Sequence, residues 1–236
     1  MSDTLLLAAV LIPSLIIAIV FHEVAHGYAA KALGDPTASD RGRLTLNPIK
    51  HVDPVGTLLV PGGLALFGGP IFGWAKPVPV NKFRLSNPRF GMMAVAAAGP
   101  LSNFVQAALG AVLLGIVGGT DWLLGSTATG MPMATDLNGN PPLVVSGLFY
   151  FIFVNVFLGL FNLLPIPPFD GSHIVGGLLP SKLRAQWEKI QRLGMVLILG
   201  VVAVSWVFGT GWLAYTIGPP LDALLNFYFG IAEMFA

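Results

Sequence analysis

Apolar residues in this chain fall in long unbroken runs rather than in the alternation of half-buried strands or the narrow stripe of a soluble helix. The first run is residues 4–21, TLLLAAVLIPSLIIAIVF. Its pattern continues through HEVAHGYAAKAL, and Gly34-Asp35-Pro36 stops it. A second, without any charge, covers 90–118; a third covers about 143–164 and closes at Asn162 and Pro165. The fourth, 193–217, is closed by Gly218-Pro219-Pro220. Each approaches or exceeds the roughly 20 residues that cross a bilayer as a helix. The first lacks the basic start and small-residue cleavage site of a signal peptide, so it reads as a helix of the mature chain.

Residues 54–75 are also uncharged but read differently. Gly56, Gly62, Gly63, Gly68, Gly69 and Gly73 alternate with Pro54, Pro61 and Pro70. A lipid-facing helix with so many breaks would leave backbone groups unsatisfied, so a protein-shielded re-entrant loop or short β-hairpins fit better. In the following GWAKPVPVN, Val78 and Val80 alternate with Pro77 and Pro79, which suits an edge strand. Such an edge could capture an unwound peptide by strand addition, or the segment could simply cap the bundle. The tail 219–236 reads as an interfacial helix. The expected fold is therefore an all-α polytopic membrane protein. It has about four transmembrane helices, a Gly/Pro-rich re-entrant or short β region and a C-terminal interfacial helix, in one membrane-embedded domain over 1–236.

Composition agrees: 55% of residues are hydrophobic and 10% charged, against about 25% charge in soluble domains. This excludes an ordinary soluble enzyme, a disordered chain and, with a net charge of +1, a nucleic-acid binder. All 12 Lys and Arg lie between Lys31 and Arg89 or between Lys182 and Arg192. With four spans these regions share one side, which the positive-inside rule makes cytoplasmic. The segment at 182–192 then reads as a headgroup-binding, topology-setting stretch.

The chain contains no cysteine, so any metal must be held by His, Asp, Glu or Asn. The strongest local signal is His22-Glu23-Val24-Ala25-His26. On a helix, positions i and i+4 share a face. Two imidazoles there can grip one Zn²⁺, with the adjacent Glu able to take a proton from water. His22 lies about 27 Å along a helix that begins near residue 4, and ionisable residues at such depth tend to be functional. A plain helix end meeting water is the other reading. A catalytic zinc takes a third protein ligand. His51, His173 and Asp170 are the candidates; Asp170 follows the uncharged run 137–169 in Asn162-Leu163-Leu164-Pro165-Ile166-Pro167-Pro168-Phe169-Asp170-Gly171. Asp-Gly is equally an ordinary turn. For His51 and His173 a structural role is the simpler reading.

HEVAHG at 22–27, HVDPVGT at 51–57, GWAKPVPVN at 73–81, GPLSN at 99–103 and NLLPIPPFDG at 162–171 together resemble the site-2 protease family of intramembrane zinc metalloproteases. The resemblance spans residues 22–171, with no PDZ or cystathionine-synthase-like insertion. It implies that His22, His26 and Asp170 ligate zinc, that Glu23 is the general base, and that Asn103 and Asn162 help hold substrate or the oxyanion. Either Asn could instead serve helix–helix hydrogen bonding. The implied substrates are membrane proteins with a transmembrane or signal-type helix. The implied location is a prokaryotic inner membrane, with the site nearer the cytoplasmic face. A metal-ion transporter is the competing reading, but it should show further ligands and a repeat, and the chain has neither. A scaffold with a structural zinc would need a fourth protein ligand and no Glu23.

Overall fold

A computed structural model describes residues 3–60, 63, 66, 73–119, 122–126, 132–136, 142–209 and 211–236. Helix α1 (Asp3–Ala32) passes through Pro13 without interruption, and Gly34, at φ 104°, turns the chain out of it. A single helical turn, α2 (Thr37–Asp40), follows, then a 3₁₀ turn at Pro48–His51 and a π-helical turn at Pro54–Leu59. Next come α3 (Pro88–Gly118), the hairpin β1 (Trp122–Ser126) and β2 (Pro132–Asp136), and α4 (Leu143–Asn162). The chain ends in α5 (Asp170–Leu178), α6 (Ser181–Gln191), α7 (Gly194–Phe208) and α8 (Trp212–Glu233).

Among the described residues, three helices are long and apolar enough to cross a membrane: Leu5–Ala32, Pro88–Gly118 and Leu143–Asn162. The fourth run differs from its expected form. It ends at Phe208, where Gly209 takes the left-handed conformation at φ 58°, and a new helix starts at Trp212 and continues through Pro219 and Pro220. A left-handed glycine reverses the backbone and satisfies the last carbonyls. The two prolines each remove one donor, and the helix survives that loss. The tail is thus helical as expected, but its helix begins before the prolines.

The β structure also lies elsewhere than expected. It is an antiparallel pair with Leu124 opposite Ala134, in the acidic loop between α3 and α4. Of the Gly/Pro-rich run, 54–59 is the π-helical turn, and 61–72 lies outside the described residues apart from Gly63 and Leu66. Residues 73–80 form neither helix nor strand.

The chain groups into two compact units. One contains Met1–Ala18, Ser102–Leu160 and Ile217–Ala236. Ala107, Ala111 and Leu114 form one face of α3 and pack with Val10, Phe149, Tyr150, Ile152, Tyr228 and Ala232. Small residues at a helix–helix seam bring backbones close. Phe149 stacks on Phe229 with centroids 5.4 Å apart, and Tyr228 Oη donates to the Phe104 carbonyl at 3.0 Å. The other unit contains Ile19–Leu101 and Phe161–Thr216, with Ala30, Leu85 and Val95 at a small core. Every residue of the metal cluster described next belongs to this second unit.

Candidate metal centre

His22 and His26 are both buried on α1. One helical turn apart, their rings meet edge to face with centroids at 4.6 Å and Nε2 atoms at 3.0 Å. His26 Nδ1 lies 2.7 Å from the Val95 carbonyl of α3. A carbonyl only accepts, so Nδ1 carries a proton, and in the neutral form of the ring the Nε2 lone pair faces the cluster. A Cβ at Gly99 would stand 2.5 Å from His26 Cε1 and Nε2 and 2.6 Å from His22 Cε1. Only glycine lets α3 lie this near both rings.

Asp170 arrives from the opposite end of the sequence. Pro165, Pro167 and Pro168 end α4 and carry the chain in a tight turn, with Phe169 packed on Phe161 at 4.3 Å. Asp170 then starts α5. A Cβ at Gly171 would collide with the Leu163 and Leu164 carbonyls, so the Asp-Gly pair is fixed by a close backbone approach as well as by turn chemistry. Asp170 Oδ2 sits 3.1 Å from His22 Nε2 and 3.3 Å from His26 Nε2, and it is buried without a hydrogen-bond partner.

Three possible ligand atoms thus face one another at 3.0, 3.1 and 3.3 Å. A tetrahedral ion with ligand bonds of about 2.0–2.1 Å sets neighbouring ligand atoms roughly 3.3–3.4 Å apart. The spacing, the inward lone pair and the orphaned carboxylate oxygen fit a zinc-sized cation with a position left open. His22, His26 and Asp170 are the one such group of three among the described residues.

Glu23 is half-buried beside the cluster, and its Oε2 accepts from the Val78 backbone N–H at 2.7 Å. Pro77 and Pro79 have no N–H, so Val78 carries the one donor between them. That donor is committed to Glu23 rather than to an open strand edge. The segment around Val78 is pinned on both sides of this contact. Arg43 Nη2 donates to the Lys76 carbonyl at 2.8 Å, Lys76 N–H to the His51 carbonyl at 2.9 Å, and Asn81 N–H to Asp35 Oδ2 at 2.6 Å. Asp35 is fully buried and also accepts from the Thr37 backbone and hydroxyl.

His51 is buried with Nε2 on the Thr45 carbonyl at 2.9 Å. His173 Nδ1 faces Gln191 Nε2 at 3.4 Å, and burial holds its pKa below the ordinary value. Neither joins the cluster. Asn162 is the last residue of α4 and half-buried. Asn103 lies in the first unit, where its Nδ2 donates to Asn155 Oδ1 at 2.9 Å and to the Ala18 carbonyl at 3.2 Å. The sequence reading assigned no role to the Val95 carbonyl or the Val78 N–H, which are main-chain groups with no side-chain signature. Gly99 enters that reading only as the start of GPLSN and with no role of its own, although a Gly-Pro pair inside an apolar helix signals close approach.

Comparison with known proteins gives a consistent result. The pattern of peptidase family M50 matches residues 10–202. YwhC of Bacillus subtilis (strain 168), a candidate zinc metalloprotease by its name, is 39% identical over 217 residues, covering 90% of this chain and 86% of that protein. Rip2 of Mycolicibacterium smegmatis, a candidate zinc metalloprotease by the same wording, is 28% identical over 201 residues, covering 79% of this chain and 65% of that one. Among solved structures, a site-2 protease from Methanocaldococcus jannaschii aligns over 95% of this chain and 76% of its own, with 20% identity and a TM-score of 0.45.

Proposed function

Because the chain belongs to peptidase family M50, the site-2-type zinc metalloproteases, we propose that it hydrolyses peptide bonds in or beside the transmembrane or signal-type helices of other membrane proteins. His22, His26 and Asp170 are the zinc ligands in this reading, and Glu23 is the general base. The observation that carries it is the approach of Asp170 Oδ2 to both imidazole Nε2 atoms, at 3.1 and 3.3 Å, across some 140 positions of sequence. The apolar helices support the membrane setting.

When bound, zinc supplies Lewis acidity that acidifies water and polarises a peptide carbonyl. The remaining work falls to the chain. Glu23 removes a proton from the attacking water and returns it to the leaving amine nitrogen. Water adds across the C–N bond, giving a carboxylate and an amine. The Val78 N–H occupies one oxygen of Glu23 and fixes the carboxylate's direction, leaving the other for the water. Asn162 holds the substrate backbone or its developing oxyanion, whereas Asn103, fully buried with its Nδ2 given to Asn155 Oδ1 and the Ala18 carbonyl, fits the helix–helix role. The whole chain acts as one membrane-embedded core in a prokaryotic inner membrane, with the site nearer the face where the basic segments lie.

The test compares the wild type with Glu23→Gln, each purified in detergent and given a panel of single-span membrane proteins. Cleavage by the first alone, with zinc retained by both, is expected. Cleavage by both would remove Glu23 from the role of base. Zinc transport into vesicles without any cleavage would overturn the protease reading.

A further inference from the structure

Asp170 opens α5, and α5 is a poor helix by itself. Its nine residues fall short of the roughly 12–15 that an isolated helix needs. Gly176 and Gly177 near its end are weak helix formers. No side chain caps its N-terminus, and its last turn holds no basic residue. The carboxylate it carries is nonetheless placed within a few tenths of an ångström of a tetrahedral edge. The restraint must come from outside the helix.

Two points of attachment supply it. Near its start, the Ser172 carbonyl accepts from Trp187 Nε1 at 2.8 Å and from Gln191 Nε2 at 3.0 Å, both on α6. At its far end stands Arg89. Its Nε donates to the Gly177 carbonyl at 2.6 Å, and its Nη2 to the Leu179 carbonyl at 3.0 Å and the Leu178 carbonyl at 3.4 Å. One guanidinium therefore takes three successive carbonyls of the kind a helix end leaves without intrahelical donors. Arg89 occupies the first turn of α3, where its own helix dipole disfavours a cation. The C-terminal carbonyls of α5 offset that. Asn87 fixes this turn by accepting from the Arg89 and Phe90 backbone N–H groups at 3.0 and 3.1 Å. One turn further on, Met93 packs against Gly177, where a Cβ would stand 3.0 Å from Met93 Cβ.

The lengths match. From Arg89 to Gly99 is about 15 Å of helix, and the nine residues of α5 span about 13.5 Å. The two segments run antiparallel, with Asp170 at the Gly99 end and Leu178 at the Arg89 end. Residues 89–99 of α3 thus address all three ligands. The Val95 carbonyl orients His26, Gly99 lies against both imidazoles, and Arg89 holds the far end of the helix that bears Asp170.

We infer that Arg89 is a positioning residue of the metal centre: by anchoring the C-terminus of α5 to α3, it sets where the Asp170 carboxylate meets the two imidazoles. The inference rests on Asp170 being a zinc ligand, and the experiment separates the two claims. The full chain in detergent is titrated with zinc against a chelator of known affinity, for wild type, Asp170→Ala, Arg89→Ala, Arg89→Lys and Tyr228→Phe. Substitutions that disturb the support of a metal ligand typically weaken affinity about 10–100-fold. Arg89→Ala is expected to lose at least tenfold, and Arg89→Lys less, because one ammonium replaces part of a three-carbonyl contact. Tyr228→Phe, which removes a hydrogen bond in the other unit, is expected to lower the melting temperature without changing zinc affinity. Wild-type affinity in Arg89→Ala overturns the inference while leaving the ligand set intact. Wild-type affinity in Asp170→Ala, or no zinc bound by the wild type, overturns the ligand set itself. If Arg89→Ala does not fold, Arg89→Lys decides alone: a threefold or greater loss supports the inference, and an unchanged constant overturns it.

Discussion

Gly99 contributes no functional group, yet the two imidazoles can sit as they do only because it has no side chain. Adding a methyl there places carbon 2.5 Å from His26 ring atoms, and overpacking of this kind costs about 1–3 kcal/mol. Gly99→Ala is therefore expected to weaken zinc binding by about one to two decades while the chain still inserts and folds. Chelator competition on the purified variant reads this directly. Asp35 is a second residue whose weight exceeds its visibility. Burial raises its pKa, but hydrogen bonds from the Thr37 hydroxyl and the Asn81 and Thr37 backbones outweigh this, and the net value is depressed. A carboxyl whose folded pKa lies below its unfolded value of about 3.9 adds stability above that pH. The contribution fades as pH falls below about 4 toward the depressed value. Asp35→Asn should lower stability at neutral pH by about 2 kcal/mol, as for a hydrogen-bonded charge, and flatten the acid limb. Melting temperatures measured from pH 3 to 7 in detergent check both.

What ties these residues together is the irregular segment 73–81. Its prolines prevent it from joining a sheet on both sides, and the one N–H between them points at Glu23 Oε2 at 2.7 Å. Hydrogen bonds to charged groups contribute about 1.5–3 kcal/mol. Val78→Pro, which deletes the donor, is expected to lower kcat tenfold or more with zinc content unchanged. An unaltered kcat would mean that the contact does not orient Glu23. At this scale the sequence was only partly legible. His22, Glu23 and His26 could be read because helical spacing puts them together without tertiary information. Asp170 could not be preferred over His51 or His173 from spacing alone; its motif suggested it, and the folding of Leu163-Leu164 against Gly171 is what brings it in. The segment 73–81 read as a strand because its alternation is real, but the register of its single donor is a tertiary fact. The end of the fourth run was misplaced because two prolines look like a stronger stop than Gly209, whereas a left-handed glycine is what ends α7.

At the scale of the molecule, zinc held by the proposed ligands would join α1 to α5 across a long stretch of sequence, with no covalent cross-link to replace it, since the chain lacks cysteine. Removing the metal should loosen the second unit more than the first, whose core holds none of the ligands. A chelator is expected to lower the thermal midpoint, and zinc at 100 times its Kd should restore about 2.7 kcal/mol by mass action. Tyr228→Phe, in the other core, should shift the apo and zinc-loaded midpoints equally. Differential scanning in detergent resolves the two cases.

The first unit draws on Leu7 and Val10 at one extreme of the chain and on Tyr228, Phe229 and Ala232 at the other. A polypeptide emerges from the ribosome N-terminus first, so this interior cannot close until Tyr228, Phe229 and Ala232 have been made. The segments that bear the imidazoles and the acid, by contrast, are complete by Thr216. Assembly in the bilayer therefore has a built-in order, in which the unit with the proposed ligands is fully synthesised while the other still awaits Ile217–Ala236.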